Sequence, residues 1–235
     1  GTWGASTTWD FGSPCNTPSC PVGDVTLTVA GYGYDIRYAS NYEPGTITNQ
    51  DPNGLGFTSR NETTNAPHHA FDNSGGTVYG TNRGATNEVV LLDFGSAKIN
   101  LTSIQTGWSE SDTDVMVFRW TKDDAPTLTS TAGPGGLLTD GWKLVSAKDL
   151  DGTNNTFAND GTNRTFDLST GSGYVAADSA DKLSSWWLVS SYFSGAGNGL
   201  SGVSLTGTGL GDTTKDYFKL LSFTGKKFTP DTPPP

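Results

Sequence analysis

Val25-Thr26-Leu27-Thr28-Val29 and Val89-Val90-Leu91-Leu92-Asp93-Phe94 are the two stretches that decide the fold. In the first, apolar and hydroxyl side chains alternate with a period of two, the pattern of a strand buried on one face. The second is a short apolar run, the pattern of a strand covered on both faces. Beyond Val29 the alternation continues through Tyr32, Tyr34, Ile36 and Tyr38, now on even positions, with Gly31 and Gly33 between them. That change of phase predicts a bulge near Ala30-Gly31.

Working outward, β-forming residues are dense at Ile99-Asn100-Leu101, Ile104 to Trp108, Val115 to Trp120, Trp142 to Val145, Trp186 to Phe193 and Tyr217 to Phe223. A second change of phase falls between Leu101 and Ile104. No stretch sustains a 3.6-residue apolar period, and Asp178 to Leu183 supplies one helical turn at most. Pro126 and Gly133-Pro134-Gly135-Gly136 make residues 121–141 a long connection, and Gly195 to Gly211 is a Gly/Ser loop. Asp151-Gly152-Thr153-Asn154-Asn155-Thr156-Phe157 recurs as Asp160-Gly161-Thr162-Asn163-Arg164-Thr165-Phe166, read as a Gly-turn hairpin or adjacent loops. Short strands separated by turn-rich segments predict an all-β chain: an antiparallel β-sandwich, jelly-roll-like, with long loops. The sandwich is assigned to residues 23–228, after an N-terminal segment, 1–22, and before a Pro/Thr-rich spacer, 229–235.

Composition agrees. At 33% hydrophobic and 16% charged, the chain is poor in both apolar and ionised residues, and 31 Gly and 12 Pro fill turns instead. Seven Trp, eight Tyr and eleven Phe supply large buried area per side chain. A net charge of -10 repels a phosphate backbone, which argues against nucleic acid, and suits divalent cations. No apolar run approaches the roughly 20 residues of a membrane span. Cys15 and Cys20 bracket Asn16-Thr17-Pro18-Ser19 and are expected to form a small disulfide contributing about 2 kcal/mol. Two cysteines cannot build a four-cysteine zinc site, and adjacent His68 and His69 point to opposite faces of a strand.

Several motifs occur in a fixed order. They are Pro67-His68-His69-Ala70-Phe71-Asp72-Asn73, then Glu88 to Phe94, then Thr106-Gly107-Trp108-Ser109-Glu110-Ser111-Asp112-Thr113-Asp114-Val115. Ser185-Trp186-Trp187-Leu188-Val189 and Asp216-Tyr217-Phe218-Lys219-Leu220-Leu221-Ser222 follow. From Leu55 to Gly225 this series resembles the exosortase-sorted (PEP-CTERM) surface proteins of Gram-negative bacteria. The resemblance implies export to the cell surface or extracellular matrix. It makes Gly1 an expected terminus after processing, and the Pro/Thr spacer an expected neighbour of a removed sorting tail.

Glu110, Asp112 and Asp114 alternate after Trp108; in a strand they share a face, in a loop they can converge on calcium, which takes several oxygen ligands, and otherwise they are a solvated acidic triplet. His69, Asp72 and Asn73 either complete a polar ligand site with Trp108 or brace a turn through side-chain hydrogen bonds. Asp149, Asp151 and Asn154 match a calcium loop only loosely, because Gly152 comes early and no Glu closes it. The sequence has no Gly-x-Ser-x-Gly elbow, His-Glu-x-x-His or phosphate loop, so a non-enzymatic role is expected. The expected role is a surface or biofilm-matrix structural protein, assembling with itself into fibres as Trp3, Trp9 and Phe11 of the N-terminal segment add to a neighbour's sheet edge. The alternative is a calcium-assisted, lectin-like module for extracellular polysaccharide, with tryptophan rings stacked on sugar.

Overall fold

The computed structural model describes residues 1–35, 40–60, 62, 70–72, 77–78, 81–82, 87–150, 157–160, 162–168, 183–193 and 216–232. In chain order the strands are β1 (Thr2–Asp10), β2 (Ser19–Val22), β3 (Val25–Tyr34), β4 (Glu43–Pro44), β5 (Thr46–Asn49), β6 (Leu55–Thr58), β7 (Phe71–Asp72), β8 (Thr77–Val78), β9 (Thr81–Asn82) and β10 (Asn87–Asp93). They continue with β11 (Lys98–Ser111), β12 (Asp114–Trp120), β13 (Trp142–Asp149), β14 (Phe157–Asp160), β15 (Arg164–Asp167), β16 (Trp186–Ser191) and β17 (Asp216–Thr229). Among the described residues the helical elements are α1 (Gly133–Asp140) and a 3-10 turn, Leu128–Ser130.

Every ladder between these strands is antiparallel. In the first sheet β11 and β17 lie side by side; β14 and β15 line the far edge of β11, and β1, β6 and β7 line the far edge of β17, with β5 beyond β6. The second sheet has the order β13, β12, β16, β10, β3, β2, with β4 also on the outer edge of β3. β8 and β9 pair only with each other. The two large sheets share one core: Leu101, Ile104 and Phe223 of the first meet Leu27, Leu92 and Val117 of the second. Two indole N–H groups cross this core. Trp9 donates to the Val25 carbonyl at 3.3 Å, and Trp187 donates to the Ile99 carbonyl at 3.2 Å. The chain is therefore an antiparallel β-sandwich, as its periodicity predicts.

A second apolar cluster covers the outer face of the second sheet. Val89, Met116, Phe118 and Leu188 are buried there against Leu128 of the 3-10 turn and Leu137 of α1. The connection 121–141 is thus not plain loop. Pro134 lies in the first turn of α1, where no N–H is needed, and Gly141 at φ 124° stops the helix. Burial on both sides accounts for the apolar run of β10: Val90 and Leu92 point into the inner core and Val89 into the outer one.

The expected bulge at Ala30-Gly31 is absent. The β3–β10 register runs without a break from Thr28 opposite Asp93 to Tyr34 opposite Asn87. Odd positions keep facing inward, and Gly31 sits there because a Cβ would lie 2.3 Å from the Phe57 ring. Tyr32 and Tyr34 face outward onto the second cluster, so the apparent change of phase is one core handing over to another. The phase change in β11 is a register shift between Leu101 and Ser103, which keeps Ile99, Leu101 and Ile104 all inside. Of the first repeat copy only Phe157 is described; Asp151 to Thr156, and Gly161 of the second copy, lie outside the described residues. β14 lies opposite Ser109 and Ser111, and β15 lies opposite Ser103 to Thr106, so β14 and β15 follow one another along one edge of β11. Most of the possible turn at Asp178 to Leu183, and the loop Gly195 to Gly211, lie outside the described residues.

Residues 1–22 are not an appended segment. β1 pairs with β17 from Thr2 opposite Thr229 to Asp10 opposite Ser222, and β2 pairs with β3. Of the residues expected to drive assembly, Trp9 and Phe11 are fully buried in this chain's own core, and only Trp3 is half exposed, edge-on to Phe228 at 5.2 Å. In this chain the partner of β1 is its own β17. Cys15 and Cys20 are joined, with Cα atoms 4.9 Å apart, and both are buried against the inner core. Among the described residues, no helix is long and apolar enough to cross a membrane.

This arrangement separates two tryptophans of one strand. Trp9→Ala should lower unfolding free energy by about 3–5 kcal/mol, the usual cost of truncating a buried aromatic. Trp3→Ala should cost less than about 1 kcal/mol, as expected at a largely solvated site. Guanidinium denaturation of both variants checks this; equal losses would mean that β1 does not dock through Trp9.

Candidate metal centre

β11 belongs to the first sheet and β12 to the second, and the chain crosses between them in two residues, Asp112 and Thr113. The crossing is tight. The Asp112 N–H donates to the Glu110 carbonyl at 2.9 Å, the Thr113 N–H donates to Asp112 Oδ1 at 2.8 Å, and the Leu150 N–H donates to the Thr113 carbonyl at 2.9 Å. A bridge between Asp112 and Asp216 brings in the first residue of β17, and the Tyr217 N–H donates to the Asp112 carbonyl at 3.2 Å. The Asp114 N–H then donates to Asp216 Oδ1 at 2.8 Å. As a result, one carboxylate oxygen from each of Asp112, Asp114 and Asp216 lies within 4.8 Å of the others, and all three residues are buried.

Of the predicted calcium ligands, Asp112 and Asp114 come together and Glu110 does not. Glu110 remains in the β11–β17 ladder opposite Tyr217, outside the group. The shared face expected of alternating residues ends where the chain turns from one sheet to the other. Asp216 takes the third place. Asp149 stands opposite Asp114 in the β12–β13 ladder, while Asp151 and Asn154 lie outside the described residues.

A second group of carboxylates, Glu62, Asp72 and Glu88, also brings oxygens within 4.8 Å of one another. Glu62 is held by Ser59, whose N–H and hydroxyl donate to Oε2 at 3.0 and 3.2 Å. The Asp72 N–H donates to Glu88 Oε2 at 3.0 Å, and the Ser191 hydroxyl donates to the Asp72 carbonyl at 2.7 Å. Asn87 donates to Ser190 Oγ at 2.9 Å and accepts from the Tyr42 hydroxyl at 2.6 Å. Burial, then the negative charges of Asp72 and Glu62, hold the Glu88 carboxyl well above the usual range; burial also raises that of Glu62. Of the predicted ligand residues, Asp72 is in this group, whereas His69 and Asn73 lie outside the described residues.

Both groups occupy the same pole of the sandwich. Ser191 pairs with Val115 and Ser190 with Val89, so the end of β16 stands between the starts of β12 and β10. Tyr192 follows at that end, its phenol pushed up by burial and then by the charges of Asp114 and Asp216. Charge decides what such groups can be. Two unit charges about 4.8 Å apart at an effective dielectric near 20 repel by roughly 3–4 kcal/mol. Three ionised carboxylates therefore approach the whole stability of a domain, about 5–15 kcal/mol. Such groups persist when protons or a cation neutralise them, and an all-oxygen set suits a hard divalent cation.

Trp108, the predicted sugar-stacking ring, is not presented to solvent. It is buried on β11, with the Lys219 ammonium 4.7 Å from its ring centre. Comparison of the chain with family models, with curated proteins and with solved structures gives no match.

Burial lowers the Lys219 amine from 10.5 to about 8. Between those values the unfolded lysine carries a proton that the folded one has released, so stability rises with pH across that window. The cost of burying the charge is fully present below about pH 8. Lys219→Met should flatten the rise, read as the difference in denaturant midpoint between the two proteins from pH 7.5 to 10.5. An unchanged slope would mean that the amine is solvated.

Proposed function

We propose that the chain is a non-enzymatic, calcium-stabilised β-sandwich of the bacterial cell surface or extracellular matrix. The observation that carries this reading is the group Asp112, Asp114 and Asp216, three buried carboxylates delivered by the β11–β12 crossing and the first residues of β12 and β17. A cation held there ties β11 and β17 of one sheet to β12 of the other, closing the pole where the sheets would otherwise splay. The remaining coordination positions fall to backbone carbonyls and water, which calcium accepts readily. The acidic composition, the buried disulfide and the ordered resemblance to exosortase-sorted proteins support an exported setting.

Calcium added to chelator-treated protein should raise stability by about 4 kcal/mol at a thousandfold excess over Kd, on the order of 10 °C in Tm for a chain of this size. Asp216→Asn should lose the part of that gain that this group supplies. Calorimetry with and without calcium tests this; identical melting of the wild type in chelator and in calcium would end the reading.

A carbohydrate-binding role has one observation in its favour. Trp3 is the large apolar side chain left half exposed among the described residues, on the outer strand of the first sheet. A ring so placed can take the face of a sugar. Binding of the wild type to a neutral polysaccharide, lost tenfold or more in Trp3→Ala without loss of stability, would establish that role. Equal retention of both proteins on an affinity gel would dismiss it.

A further inference from the structure

Glu62, Asp72 and Glu88 share no ligand with the Asp112, Asp114 and Asp216 group and stand on different elements: the turn after β6, β7 and β10. Two independent observations bear on them. The first is proximity, with oxygens of all three within 4.8 Å. The second is the state of Glu88. It is fully buried, its Oε2 accepts the Asp72 N–H, and its Oε1 is buried with no N–H or hydroxyl donor, the neighbouring group being the Glu62 carboxyl, which can meet it only by sharing a proton. A buried carboxylate oxygen without a donor forfeits its hydration and gains nothing in return, a cost of several kcal/mol for a charged group. Yet the chain invests in positioning this carboxylate. The Glu88 N–H donates to Ser191 Oγ at 3.2 Å, and the same hydroxyl binds the Asp72 carbonyl. Ser59 fixes the Glu62 carboxylate on the opposite side.

We infer that Glu62, Asp72 and Glu88 form a second divalent-cation site, of the calcium class, with Glu88 Oε1 as an inner ligand. The chemistry is all-oxygen and anionic, which favours a hard cation over zinc or copper. Glu62, half-buried where its two neighbours are fully enclosed, marks the side from which the ion and its remaining waters enter. The site would fasten the two-residue strand β7 to β10. Among the described residues β7 has two ladder pairs with β17, a short ladder to hold it by itself.

The competing resident is a proton shared within the group, and stoichiometry distinguishes the two. Chelator-treated protein is dialysed against calcium and the bound metal is counted per chain, by native mass spectrometry and by equilibrium dialysis. The wild type should hold two calcium ions. Glu88→Gln and Glu62→Gln should each hold one, with affinity at the remaining site unchanged. Glu62→Gln guards against a folding defect in the fully buried variant, and circular dichroism of each variant checks that it is folded. Asp216→Asn should also hold one, and the double variant Glu62→Gln/Asp216→Asn none. A wild type that binds the same number of ions as Glu62→Gln overturns the second site. If Asp216→Asn keeps every ion while Glu62→Gln loses one, the second site stands and the centre at Asp112, Asp114 and Asp216 falls.

Discussion

The first sheet depends on the insertion of β17 between β11 and the strands of the first part of the chain. β17 is fourteen residues long, and it meets β11 along one side and β1, β6 and β7 along the other. Among the described residues none of those three pairs with β11 or with another of the three, so without β17 the sheet is four unconnected pieces: β11 with β14 and β15, β6 with β5, β1, and β7. Nearly all of these contacts join residues far apart in sequence, as Thr2 and Thr229 do. Loop-closure entropy must be met before such contacts stabilise anything, which is the physical origin of slow folding in β-proteins. The same strand begins with Asp216, so the event that completes the sheet also completes the acidic group at its end.

A row of aromatic rings lies on the same segments as that acidic pole. Phe57 stacks on Phe71 at 5.5 Å, and Phe71 stacks on Phe218 at 6.0 Å. Phe71 immediately precedes Asp72 and Phe218 lies two residues after Asp216, so strand alternation turns rings and carboxylates to set places along the same short segments. The carboxylates are themselves buried, which makes their charge costly and ties neutralisation of the pole to the stability of the fold. At this end Tyr42, Asn87, Ser190 and Ser191 form a connected, buried polar seam.

Strand positions were legible because burial leaves a period in the sequence. Val25 to Val29 and Val89 to Phe94 read correctly, the second because both its faces are covered. The misreadings have separate origins. Alternation shows that a face is buried but not which layer buries it, so Tyr32 and Tyr34 looked like a slipped strand when they were entering a second core. Residues 121–141 hid α1 because Gly133, Pro134 and Gly136 are poor helix formers whose burial comes from packing. At the site, Asp112 and Asp114 could be found by their spacing. Asp216, Glu62 and Glu88 could not, because their meeting is set by which strand ends share a pole. Asp216 and Glu88 did stand at the heads of apolar strands, which is the one local sign they carry.

The antiparallel closure of β1 on the end of β17 has a mechanical meaning. Thr2 and Thr229 are partners, so tension between the two ends of the described sandwich falls on one pair of the ladder at a time. Ladders pulled in this direction peel like a zipper; ladders pulled along their length must break many bonds together. Peeling would proceed from Thr2 and Thr229 toward Trp9, whose indole is anchored across the core to Val25. Beyond that lock the force would reach Phe11, hydrogen-bonded through its N–H to Leu221 at 2.8 Å, and then the loop closed by Cys15 and Cys20. Under load the chain would therefore give a short, reversible extension first, a yielding strap ahead of a body that holds.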